Sequence, residues 1–204
     1  IIGAGLTGIR LAQRLTPYAN VTIFEQNDTP GGRLASHQIS CHEFDYGAQF
    51  FTARTPAFQQ WLAPYLDHQS LAIWQGHFAE IDKDRIINRR LWQKAPAHYV
   101  GFPSMKAWAQ TLVTTLTVIY SCEICSIAFD KVWTLTDQKQ NTYTGFDWVI
   151  IACPLARCRL LAPKICAFYD TLNTLVMKSC FTLMLSSAKP LRLPFQAALI
   201  RNND

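Results

Sequence analysis

Gly3, Gly5 and Gly8 stand at GxGxxG spacing, directly after the apolar pair Ile1-Ile2 and directly before an amphipathic run. Such a turn can hold a pyrophosphate. Gly3 permits a sharp exit from a strand, Gly5 lets backbone approach a phosphate, and Gly8 lets the following helix pack on the sheet. The phosphates then meet free N–H groups at the positive end of that helix. Glu25 lies seventeen residues after Gly8, at the end of the next apolar run. A carboxylate there can accept both ribose hydroxyls of an adenosine and repels a 2′-phosphate. This points to FAD or NAD rather than NADP. The plain alternative is a glycine-rich turn in an unrelated α/β protein.

Gly31-Gly32-Arg33 shifts the choice towards a flavin. Paired glycines expose backbone N–H groups, and Arg33 can bring charge to a phosphate or flavin oxygen. Its plain alternative is a surface turn with a solvated arginine. Residues 44–54, FDYGAQFFTAR, mix small, aromatic and polar side chains. Such a segment suits a wall beside a flat ring, with Gln49 among its hydrogen-bonding groups. The structural expectation for Asp45 and Arg54 is a mutual ion pair.

These groups need elements to position them. Leu6, Ile9, Leu11, Ala12 and Leu15 predict a helix, and residues 21–25 a short strand, which together form a compact βαβ unit. Helices are expected over 56–66, from an N-cap at Ser104 through Leu112, and near 155–161. Small antiparallel strands are expected between 71 and 88. Further strands are expected at 117–120, 123–129 and 131–136, with 142–145 returning as a hairpin arm. Residues 148–152 read as a buried parallel strand ended by Pro154. Residues 181–185 and 197–200 are late strand candidates. A βαβ start, a mixed region and a returning buried strand imply two interleaved domains.

Composition narrows the classes. Half of the 204 residues are hydrophobic and only 16% are charged, which excludes a disordered chain. No apolar run reaches the ~18 residues of a membrane-spanning helix. The net charge of +5 is mild and the basic residues are scattered, so nucleic-acid binding is not expected. Seven cysteines are too few and too dispersed for a disulfide scaffold and fit a reducing, cytoplasmic setting. Cys122 and Cys125 form a CxxC in a strand-like context without a second pair or spaced histidines, so no metal site is expected.

In order along the chain, these motifs resemble the FAD-dependent amine-oxidase-like superfamily, and most closely its bacterial renalase-like branch. Residues 99–105, YVGFPSM, and 148–154, WVIIACP, resemble two further segments of that branch. Ser104 stands where the branch has glycine, and Cys153 where it has threonine. The resemblance implies an α/β fold in which a Rossmann-like FAD-binding domain is interleaved with a mixed, largely antiparallel substrate domain. The FAD-binding parts would be 1–54 and 101–154, and the substrate parts 55–100 and 155–204. Gly3, Gly5, Gly8, Glu25, Gly32 and Arg33 would bind FAD, while Gln49 and Phe51 would serve the reaction at the isoalloxazine. The implied activity is hydride transfer from a dihydronicotinamide nucleotide to flavin, with dioxygen as acceptor. A flavin amine oxidase and a non-catalytic FAD-binding fragment are the alternatives. Family chains are longer, so these residues are expected to be a piece clipped within its first strand and lacking a C-terminal part.

Overall fold

The computed structural model describes residues 1–91 and 96–201. Residues 92–95 of the expected segment 55–100, and 202–204 of the expected segment 155–204, lie outside the described residues.

Helical spacing of small and apolar residues makes α1, Leu6–Leu15, which buries Gly8, Ile9 and Ala12. The β-prone run after it makes β1, Thr22–Phe24. A single 3-10 turn covers Gly32–Leu34. Short strands follow: β2, His37–Ile39; β3, His42–Phe44; and β4, Phe51–Thr52. Helix α2, Pro56–Asp67, has Thr55 as its N-cap and proline in its first turn, where the missing N–H costs nothing. Then come β5, Leu71–Ile73; β6, His77–Asp82; β7, Arg85–Leu91; and β8, His98–Gly101. Helix α3 is Met105–Thr111. Strands β9, Thr117–Ile119; β10, Ile124–Asp130; β11, Val132–Asp137; and β12, Thr142–Phe146 precede α4, Leu155–Leu161. Helix α5, Tyr169–Thr174, and β13, Ala197–Arg201, complete the order.

The chain forms two compact units, Ile1–Ala35 with Ala109–Thr182, and Ser36–Trp108 with Leu183–Asp204. In the first, β1 pairs in parallel with β9, and Ile2 bridges in parallel to both Phe24 and Ile151. Strands β10, β11 and β12 add an antiparallel meander to the same unit. Ile2, Phe24, Cys122, Ile124, Leu135 and Leu161 form its buried cluster. In the second unit β4, β8 and β5 pair antiparallel, β2 and β3 form a hairpin, and β6 lies between β7 and β13. Strand β13 pairs with β6 in parallel. The fold is α/β: a Rossmann-like domain interleaved along the chain with a mixed, largely antiparallel one.

Three local expectations are corrected. Residues 148–152 do not form a buried strand. Their parallel partner is the Ile1-Ile2 pair, so the ladder shrinks to the Ile2–Ile151 bridge, and Trp148 is 84% exposed. Residues 181–185 form no strand among the described residues, and Phe181, Leu183 and Leu185 are exposed. Apolar β-prone residues make a strand only where a neighbour offers a ladder. Asp45 does not pair with Arg54. Its Oδ1 accepts the Ser36 hydroxyl at 2.5 Å and the Met105 N–H at 3.1 Å, at the start of α3.

Candidate nucleotide-binding site

The candidate site is built on the carboxyl ends of the parallel stretches in the first unit. Gly3 adopts φ +104°, and a Cβ on it would stand 3.0 Å from the Ala152 carbonyl oxygen. A Cβ on Gly8 would stand 2.0 Å from the Gly3 carbonyl oxygen, so α1 packs against its own entry turn only through glycine. Gly5 differs. A Cβ there meets nothing within 4 Å. Gly5 is also the N-cap of α1, and it supplies no side chain to the helix N-terminus. The first turn carries no acid either. The start of α1 therefore has no side-chain cap and no acid of its own beside the open space over Gly5, a fit for an anion.

The second glycine turn reaches the same place. Gly31 donates its N–H to the Ala4 carbonyl oxygen at 2.8 Å, and Gly31 and Gly5 form a parallel bridge. Gly32 adopts φ +54°, and a Cβ on it would lie 3.2 Å from the Gly5 Cα. Arg33 projects from the 3-10 turn, is exposed, and has no ion-pair partner among the described residues.

Glu25 follows β1 and is buried. Its Oε2 accepts the Ala4 N–H at 2.7 Å. Its Oε1 accepts the Asn27 backbone N–H at 3.0 Å and the Asn27 Nδ2 at 2.8 Å. Neither Ala4 nor Asn27 was expected as a partner. Asparagine two residues after a strand-ending acid is a turn signal that could have found the second. Tyr120 follows β9, the parallel neighbour of β1; burial first, and then the Glu25 charge, raise its phenol above the ordinary value.

Gly3, Gly5, Gly8, Glu25, Gly32 and Arg33 thus lie in one unit, on two touching turns and the adjacent strand end. Gln49 and Phe51 belong to the other unit. Gln49 is exposed. Phe51 is half-buried and stacks on Trp108 at 5.1 Å and on Tyr99 at 5.5 Å, so it helps pack β4 and β8 against α3. Ser104 caps α3: its hydroxyl accepts the Ala107 N–H at 3.2 Å and donates to Glu43 at 2.9 Å. The CxxC makes no thiol pair. Cys122 is buried beside Asp137 and Tyr143, burial raises its thiol, and Cys125 is exposed. Among the described residues no cluster of histidine, cysteine or acids could hold a metal ion. No helix among them is long and apolar enough to cross a membrane.

This fold and these turns are those of a Rossmann-like domain, and residues 1–67 match the family model described as an NAD(P)-binding Rossmann-like domain. The chain is similar to coproporphyrinogen III oxidase of Mycobacterium tuberculosis (strain ATCC 25618 / H37Rv), with 29% identity over 124 residues, 58% of this chain and 26% of that protein. It is also similar to 1-hydroxycarotenoid 3,4-desaturase of Flavobacterium sp. (strain P99-3), with 40% identity over 53 residues, 26% of this chain and 11% of the other. These matches span at most 26% of the curated relatives' length. Among solved structures, tetracycline destructase Tet(55) superposes with a TM-score of 0.56 at 17% identity, covering 80% of this chain and 40% of that one. Tet(51) gives 0.55 at 13% identity with the same coverage. At those identities the likeness is one of fold.

Proposed function

We propose that the unit Ile1–Ala35 with Ala109–Thr182 binds FAD by its ADP half, and that the chain is part of an FAD-dependent oxidoreductase. The observation that carries this reading is the contact of two glycine turns beside the uncapped start of α1, with open space over Gly5. Gly5 and Gly32 would admit the pyrophosphate. Arg33 would balance its charge with a guanidinium. Glu25 would accept a ribose hydroxyl and disfavour a 2′-phosphate. Similarity to proteins named as an oxidase and a desaturase supports an oxidative reaction.

When bound, FAD supplies a two-electron acceptor for a hydride leaving a reduced dihydronicotinamide nucleotide, with dioxygen as the proposed final acceptor. That substrate and the renalase-like placement rest on the motif resemblance, and the cytoplasmic setting rests on the dispersed cysteines. Substrate handling is assigned to the other unit. The roles of Gln49 and Phe51 rest on the same resemblance: an exposed amide to hydrogen-bond, and a stacked ring held rigidly. No side chain need act as a base, because a dihydropyridine releases hydride without deprotonation.

The test is anaerobic mixing of the FAD-reconstituted protein with isomeric dihydronicotinamide nucleotides and, separately, with simple amines. Bleaching of the flavin absorbance by the dihydronicotinamides alone is expected. Bleaching by amines alone, or by neither class, would overturn the substrate reading.

A further inference from the structure

We propose that Asn27 is a positioning residue for the ribose contact, holding the Glu25 carboxylate in the orientation that accepts the 2′-hydroxyl of an adenine ribonucleotide. This rests on the nucleotide-binding reading above. Glu25 is 4% exposed, so protein donors replace most of its water. A carboxylate offers about four acceptor positions. Ala4 takes one on Oε2, and the Asn27 backbone and side chain take both on Oε1. The open position is therefore on Oε2, and Asn27 is what occupies the other oxygen.

Asn27 is itself anchored. Its carbonyl oxygen accepts the Ser121 N–H at 2.9 Å, and Cys122 donates its N–H to the Glu25 carbonyl oxygen at 2.9 Å. Both donors follow β9, so the turn carrying Asn27 is tied to the neighbouring parallel strand end. Removing the Asn27 side chain leaves one donor on Oε1 and loses a charge-assisted hydrogen bond. The carboxylate can then rotate about its last bond, and a ribose hydroxyl meets it in fewer correct orientations. A residue that merely tied the turn would change stability without changing which sugar is preferred.

Calorimetric titration with ADP and with 2′-deoxy-ADP separates these roles. The unmodified chain should prefer ADP about tenfold, the worth of one hydrogen bond to a charged group. Asn27→Ala should lower ADP affinity about three- to tenfold and leave 2′-deoxy-ADP affinity nearly unchanged, so the preference collapses. Asn27→Asp should collapse it at least as far, because a like charge then replaces the donor. If both nucleotides weaken equally, or if only the melting temperature falls, Asn27 is a structural tie and the inference is overturned. An unmodified chain that binds both nucleotides equally removes the 2′-hydroxyl contact, and with it the inference. An unmodified chain that binds neither nucleotide overturns the nucleotide-binding reading as well.

Discussion

Gly5 and Gly8 belong to one motif, yet the space around them sets opposite expectations. Gly5→Ala adds a methyl group to open space on backbone that any residue adopts, so stability should change by less than about 0.5 kcal/mol. FAD or ADP affinity should nevertheless fall at least about tenfold, because the methyl group occupies the phosphate approach. Gly8→Ala drives a Cβ into the Gly3 carbonyl and should cost about 1–3 kcal/mol or more in denaturant unfolding. Loss of binding in Gly8→Ala would therefore report the fold, whereas loss in Gly5→Ala reports the site. The glycines and Glu25 were legible in the sequence because each answers to a local geometric need. The donors on Glu25 were less so. Ala4 contributes only a backbone N–H, which leaves no mark on residue type. Asp45 shows the same limit: an arginine nine residues away was the obvious partner, but the unfilled N–H groups of α3 took the carboxylate instead.

At the scale of elements, α3 shows why a polar cluster sits among aromatic residues. Met105 and Ala107 donate their N–H groups to Asp45 and Ser104, and Lys106 donates to the Ser36 hydroxyl at 3.1 Å. Asp45→Ala removes the acceptor for both the Ser36 hydroxyl and the Met105 N–H. It should cost about 1–3 kcal/mol in chemical denaturation, and an unchanged midpoint would contradict the cap. The β11–β12 hairpin depends on another acid. Asp137 accepts the N–H groups of Lys139 and Asn141, and hydrogen bonds from the Asn141 side chain first, then backbone, hold its carboxyl below the ordinary value against the opposing effect of burial. A depressed value in the folded state means that its contribution is complete above the ordinary carboxylate range and is lost as pH falls through the folded value. Asp137→Asn should flatten the acid limb of a plot of melting temperature against pH, and an unaltered slope would remove Asp137 as the cause. Helices and the hairpin were legible because their periodicity and turn residues are local. Residues 148–152 and 181–185 form no strand because an apolar run carries no record of the ladder a neighbour offers it.

At the scale of the whole molecule, the two units change over at 35/36, 108/109 and 182/183. The motif resemblance implies divisions at 54/55, 100/101 and 154/155. Interleaving was legible from the return of apolar strands after the mixed region. Residues 36–54 owe their placement to pairing and capping within the second unit: β2 with β3, β4 with β8, and Asp45 with α3. Neither Gln49 nor Phe51 shows a reaction role by geometry, whereas the six glycine, acid and arginine positions share one unit. The central claim is accordingly that this unit grips FAD by its ADP half. Its most direct test is titration of the purified chain with FAD, followed by flavin absorbance and fluorescence, with ADP as competitor. Saturable binding of one equivalent that ADP displaces, and that Gly5→Ala weakens without a change in melting temperature, is the expected result. A folded chain that leaves flavin fluorescence unchanged and retains no FAD after dialysis would contradict it.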